Sequence, residues 1–237
     1  MRSLGIVLLC VTGSAAFAQA QTGPPRWPDG QVRLGPPPGQ KGYWGPASTT
    51  SLVESGPEAA RIAPFQPWAL ALYRERQRRQ LNDDPIARCL PPGGPRQFQT
   101  PQGFQFVEQR ELGRILVLLG GGNRNWRVIH MDGRPLGAAA EAVLGYYGTS
   151  VGRWEKDTLV VDSVGFNERF WFARGGLPHT ESLHLIERFT RTSLNSLRYD
   201  VTIDDAGAYT RRWGSGWTNR WVPDREIEEH FCEENTP

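Results

Sequence analysis

From Phe104 onward the chain repeats one pattern: short runs in which apolar and polar side chains alternate, separated by brief links of turn-forming residues. Alternation at period two places one set of side chains on each face of a β-strand, so each run can cover a core with one face and meet water with the other. The clearest run sets Leu197, Tyr199, Val201 and Ile203 against Arg198, Asp200, Thr202 and Asp204. Seven others fit: Phe104 to Gln109, Arg114 to Leu119, Asn125 to Met131, Tyr147 to Trp154, Thr158 to Val164, Ser182 to Arg191 and Ala208 to Trp213. Links such as Gly120-Gly121-Gly122, Glu155-Lys156-Asp157 and Thr192 to Ser196 are too short for a crossover and make their flanking strands antiparallel. The fold expected is mainly β, an antiparallel meander barrel of about eight strands, because closure removes exposed edges. A two-sheet sandwich is the alternative.

The N-terminal part reads differently. Met1-Arg2, the apolar run Leu4 to Val11 and the small residues of Ala18-Gln19-Ala20 form a secretory signal peptide over residues 1–20, with Cys10 removed alongside it. The apolar run is far short of the roughly 20 residues that span a bilayer, so no stable membrane insertion is expected. Residues 21–67 are rich in Pro and Gly and form an arm without a core of its own, partly disordered, on which Tyr43-Trp44 docks against the body. Pro67 then opens one helix over 68–81, with Trp68 and Leu72 on one face and Arg74, Arg76, Arg78 and Arg79 towards its C-terminal end. Residues 68–237 are expected to be a single barrel domain. Its two cysteines, Cys89 and Cys232, pair as a disulfide in the oxidising compartment that a signal peptide implies.

Loss of Arg2 with the signal leaves 26 Lys plus Arg against 25 Asp plus Glu. A mature net charge of +1 is no footprint for nucleic acid or an anionic membrane. Nine Trp in an aromatic content of 11% suit a barrel interior and a small-molecule pocket equally well.

The stretch Ser150-Val-Gly-Arg-Trp-Glu-Lys-Asp-Thr-Leu-Val-Val-Asp-Ser-Val-Gly-Phe166, followed by Pro178-His-Thr-Glu-Ser-Leu-His-Leu-Ile-Glu-Arg-Phe189, stands out as phrasing. With Asp84-Pro85, Asp132-Gly133-Arg134-Pro135 and Val201 to Asp205, it resembles a large group of exported bacterial proteins of unassigned function. The resemblance runs from about residue 82 to about 234 and carries no catalytic assignment. The chain has Lys156 where similar sequences have glycine, and lacks a histidine after Pro135. A lipocalin-like architecture is an analogy from strand count and short links alone.

Two regions are candidates for chemistry. The linker Gly165 to Thr180 is too long for a hairpin and holds Phe166, Arg169, Phe170, Trp171, Phe172, Arg174 and His179. It reads either as a lid over a barrel mouth or as an aromatic plug in it. The following strand presents Leu183, Leu185, Glu187 and Phe189 on one face and His184, Ile186, Arg188 and Thr190 on the other. With the leucine face inward, Glu187 is a carboxylate in an apolar interior, which pairs with an arginine or becomes a general acid or base. With the other face inward, His184 and Arg188 enter the barrel as proton carrier and oxyanion stabiliser. Sequence leaves both registers open. His179, Glu181 and His184 make a metal cluster only on paper, since positions 181 and 184 project to opposite faces, and no metal or other cofactor is expected. Gly148-Thr149-Ser150-Val151-Gly152 has the letters of a nucleophile elbow but no following helix.

The function expected is binding of a small aromatic, terpenoid or glycosidic compound by an exported barrel, periplasmic or secreted. His184, Glu187, Arg188 and His179 are the candidate catalytic residues for a cofactor-independent lyase, isomerase or hydrolase. Phe166, Arg169, Trp171, Phe172, Trp154 and Tyr199 are the candidate ligand-binding residues. The alternatives are a non-catalytic carrier and an envelope interaction module.

Overall fold

The computed structural model describes residues 23–46, 63–80, 82–121, 125–171 and 173–232. The signal-peptide segment and Phe172 lie outside the described residues. Nine strands close one barrel: β1 (Gly42–Gly45), β2 (Phe104–Gln109), β3 (Arg114–Leu119), β4 (Trp126–His130), β5 (Thr149–Glu155), β6 (Thr158–Val164), β7 (His184–Ser193), β8 (Ser196–Asp204) and β9 (Trp213–Pro223). Two α-helices accompany them among the described residues, α1 (Pro67–Arg78) and α2 (Ala138–Glu141).

The barrel is not wholly antiparallel. A closed ring of alternating directions needs an even number of strands, so nine require a parallel pair. That pair is β4 and β5, joined by Ile129 opposite Ser150 and His130 opposite Val151. Parallel neighbours need a long crossover, and residues 131–148, including α2, supply it over the outside of the wall.

The ninth strand comes from the segment read as an arm. Gly42–Gly45 pairs with Trp221 and its neighbours on β9 and meets β2 through Trp44 opposite Phe104. Trp44 is fully buried, donates Nε1–H to the Leu34 carbonyl at 2.9 Å and stands edge-on to Trp221. A Cβ at Gly42 would lie 2.2 Å from the Trp221 ring, which is why the strand begins with glycine. The described part of this segment is thus an ordered element, held also by Arg26 on Asp157 and by Glu108, which accepts from Trp27 Nε1 and from the backbone of Leu34 and Gly35. Proline and glycine content removed periodicity without preventing order, because the core supplied buried sites for Val32, Leu34 and Trp44.

The last strand also lies later than the sequence pattern places it, over Trp213–Pro223 in place of Ala208 to Trp213. The helix buries Ala69 and Tyr73, while Trp68 is 46% exposed and donates to the Gly207 carbonyl. The Trp68 and Leu72 face is therefore not the packing face.

Inside, the barrel is filled. Phe98, on the 3₁₀ turn Pro95–Gln99, inserts among Phe104, Phe189 and Tyr199 with ring centroids 4.8 to 5.2 Å apart. Residues from Arg26 to Gly35 cross the end that carries the β5–β6 and β7–β8 turns. There Arg191, almost fully buried, lies over both Trp44 and Trp221 and donates to the carbonyls of Arg33, Gly35 and Leu194. At the other end Phe166, Phe170, Leu177 and Leu183 are buried, and Arg76 and Gln77 of α1 hold the linker through the Gly176 and Gly175 carbonyls. Cys89 and Cys232 form a disulfide, Cα atoms 5.4 Å apart, that ties the segment before β2 to the one after β9.

Candidate functional site

The register of β7 decides which polar groups meet the core. Val161 of β6 and Val201 of β8 flank Glu187, placing Leu185, Glu187, Phe189 and Arg191 inward and His184, Ile186 and Arg188 outward. Of the two registers left open by sequence, the leucine-inward one is adopted. His184 and Arg188 do not enter the barrel.

The inward carboxylate has a full set of partners. Arg127 of β4 reaches Glu187 with two nitrogens, one of them at 3.2 Å from Oε1, while its Nε donates to Ser150 at 2.9 Å and Nη2 to Ser163 at 2.6 Å. Tyr199 donates its hydroxyl to Glu187 Oε1 at 2.9 Å. Glu187 is 0% exposed and Arg127 2%. A buried charge that finds both an opposite charge and hydrogen bonds has a structural explanation, so Glu187 carries no case for proton transfer here.

The outward faces of β5, β6 and β7 carry a second, open constellation. Asp162 lies diagonally across from His184 and from Arg153, the spacing at which long side chains of neighbouring strands meet. Its Oδ1 is 3.0 Å from His184 Nε2 and its Oδ2 is 2.6 Å from Arg153 Nη1. Arg153 continues to Glu155 at 3.1 Å, and Glu155 to Arg188 at 2.9 Å. The two guanidiniums hold the exposed Glu155 carboxyl below its ordinary range, the Arg188 hydrogen bond being the larger influence.

Residues 131–148 overhang the His184 end of this row and make a pocket of about 450 Å³. Asp162, Arg153 and His184 meet Val151 and Val164 on the wall, and Arg134, Leu136 and Glu141 come from the crossover. Arg134 closes back on Asp132 and, through that hydrogen bond, holds its carboxyl down to about 2. Imidazole is 33% exposed at His184, and among the described residues its Nδ1 has no hydrogen-bond partner. In the neutral ring, with Nε2–H donated to Asp162, Nδ1 carries a free lone pair.

The other candidates from sequence stand apart from this pocket. His179 is 4% exposed on the linker, its ring 4.2 Å from that of Phe170 and its Nε2 3.2 Å from the Phe170 carbonyl oxygen. Burial pulls it down to about 4. Phe166 and Trp171 are buried, the latter beneath Arg76, so they belong to the plug, while Arg169 is exposed. Tyr199 is packed between Phe189 and Trp217, and Trp154 is half-buried against the core. None of these lines the pocket. Sequence reading named His184 and did not single out Asp162. It passed over Arg153, Arg134 and Glu141, although the parity of β5 and β6 puts Arg153 and Asp162 on one face.

Among the described residues no group of three or more His, Cys, Asp or Glu side chains is placed to hold a metal ion. No family model, curated protein or solved structure matches the chain.

Proposed function

We propose that the protein binds a small organic molecule in the outer-wall pocket and moves a proton on it with His184. The observation that carries this reading is the His184–Asp162 pair, 3.0 Å apart, lining a 450 Å³ pocket with the second imidazole nitrogen unpartnered. Asp162 is the positioning residue: accepting from Nε2–H, it selects the tautomer that leaves Nδ1 ready to take a proton from a C–H or O–H acid. Arg153 and Arg134 are the nearby cations available to a developing negative charge. Val151, Val164 and Leu136 offer apolar contact, which fits a partly apolar compound bearing an acidic or hydroxylated end. Isomerase and lyase chemistry can begin with such a proton transfer, whereas in a hydrolase the same nitrogen would take the proton from the attacking water.

A carrier is the second reading, favoured by the ion pairs that already engage Arg134, Arg153 and Asp162 at the pocket. The filled interior moves both readings from the barrel lumen to its wall. Export fits the Cys89–Cys232 disulfide, which persists in the periplasm or outside the cell. No helix among the described residues is long and apolar enough to cross a membrane.

The test is mass spectrometry of a panel of aromatic, terpenoid and glycosidic compounds incubated with the wild type and with His184→Ala. Time-dependent conversion that drops by about 10²- to 10⁴-fold in the variant is the expected result. Conversion indifferent to His184 overturns the assignment. A compound bound but returned unchanged makes the protein a carrier for that ligand.

A further inference from the structure

A second cleft, of about 430 Å³, draws its polar side chains from three separate segments. Asp84, Arg96, Gln99 and Gln102 come from the stretch before β2, Arg174 from the linker between β6 and β7, and His230 from the chain after β9. It is lined by none of the residues of the outer-wall pocket.

Its polar groups are unbalanced. Asp84 grips Arg96 through both oxygens, at 2.8 and 2.6 Å, and caps the turn Pro85–Arg88 by accepting from Ile86 N. Among the described residues the only carboxylate lining the cleft is thereby committed to one guanidinium. Arg174 is exposed and makes no ion pair among the described residues, although its loop is anchored by the bonds from Arg76 and Gln77 to the two following glycines. Gln99 Nε2 is buried without an acceptor. Two guanidiniums against one carboxylate, with an unmatched amide N–H and an imidazole beside them, leave the wall with an excess of positive charge and a spare donor. The acidic residues Glu228 and Glu229 line the adjoining cleft with Arg225 instead.

The third wall is fixed covalently. His230 stands two residues before Cys232, and Cys89 follows directly on the Pro85–Arg88 turn that Asp84 caps. Reduction would free the C-terminal segment from the wall that holds Arg96.

We infer that this cleft binds a small molecule bearing a carboxylate or phosphate group, with Arg174 as its ion-pairing residue and the disulfide holding the His230 wall in place. A carboxylate or phosphate supplies acceptors for Arg174 in the paired geometry that guanidinium favours. The volume suits a ligand of modest size.

The experiment is a ¹⁵N-NMR titration of the oxidised protein with inorganic phosphate and, separately, with succinate, each against sodium chloride at equal ionic strength. Saturable shifts centred on Gln99, Gln102, Arg174 and His230 are expected, and the tighter of the two probes identifies the headgroup. Arg174→Gln, a change at an exposed side chain, should weaken the preferred probe about tenfold, one charge-assisted hydrogen bond's worth, while leaving the rest of the spectrum intact. Reduction with dithiothreitol should weaken it several-fold. Shifts that match the chloride control, or that Arg174→Gln leaves unchanged, overturn the site. Undiminished affinity after reduction overturns the role of the disulfide.

Discussion

Strands β6 and β7 carry similar chemistry on their two faces with opposite consequences. On the inner face Ser163 and Glu187 join Arg127, Ser150 and Tyr199 in a network from which water is excluded. On the outer face, one residue away along β6, Asp162 joins His184 and Arg153 beside a pocket. Both sets hold an arginine, a carboxylate and a third proton-bearing group. Inside, the carboxylate, the guanidinium and the hydroxyls are all bonded to one another, and the set specifies how the barrel packs. Outside, one imidazole nitrogen is left over, and a leftover nitrogen can act on something else. Residue type therefore does not separate structural from functional polar clusters here; completeness of partnering does.

The largest consequence belongs to the inner face. Glu187→Gln leaves the Arg127 guanidinium buried beside a neutral amide, and Arg127→Met leaves the carboxylate uncompensated. Each should cost about 3 to 5 kcal/mol in urea unfolding, whereas the double change Arg127→Met with Glu187→Leu should recover most of that loss. Single variants that unfold like the wild type would show the pair to be dispensable and would undo the contrast drawn above.

Two histidines give the next test. Buried His179 titrates near 4 in the folded chain against an ordinary value of 6.5, so between those limits the unfolded chain holds a proton that the folded one lacks. Stability then falls as pH drops from 6.5 towards 4 and is untouched by this group above 6.5. At pH 4.5 the deficit attributable to it should be about 2 to 3 kcal/mol, read as the wild-type minus His179→Gln difference in urea midpoints relative to pH 7. A pH dependence shared equally by the variant would mean that acid sensitivity lies with the carboxylates.

Much of the barrel could be read from alternation. The runs Phe104 to Gln109, Arg114 to Leu119 and Thr158 to Val164 coincide with β2, β3 and β6 residue for residue. What failed was non-local. Gly42–Gly45 is a strand because Trp221 and Phe104 wait on either side of Trp44, and nothing within those four residues says so. Strand β9 was displaced because Ser215 and Asn219 interrupt its apolar side and Gly214 and Gly216 weaken the strand pattern opposite, although Trp213, Trp217 and Trp221 recur on one face. The parallel β4–β5 pair follows only from the strand count. At the site, sequence narrowed β7 to two registers and could not choose, since the partner that settles Glu187 is Arg127, sixty residues away on another strand.

On the outer face stability effects should be small and functional ones large. Asp162→Asn can present either an amide oxygen or an amide N–H to His184, so it no longer selects one tautomer, and it removes a charge that is partly exposed. We expect a cost under about 1 kcal/mol, together with a loss of the fixed tautomer at His184, visible by ¹⁵N-NMR of the ring, and conversion reduced at least about tenfold. An unchanged tautomer would remove Asp162 from its positioning role.

The smallest effect is expected at Arg188, and it discriminates between a local site and a reactive strand face. Read from sequence, Arg188 shares a face with His184 and would steady an oxyanion. Four residues along a strand amount to about 13 Å, and at that distance Arg188 pairs with Glu155 at the far end of the charged row, outside the pocket lining. Its ion pair is exposed and Glu155 retains Arg153, so Arg188→Ala should change stability by no more than about 0.5 kcal/mol. Conversion should stay within about twofold, because a charge so far from His184 and facing water is screened before it reaches the reacting atoms. A loss as large as that of His184→Ala would mean that the substrate extends along the whole outer row, and the site would then have to be redrawn from Asp162 to Arg188.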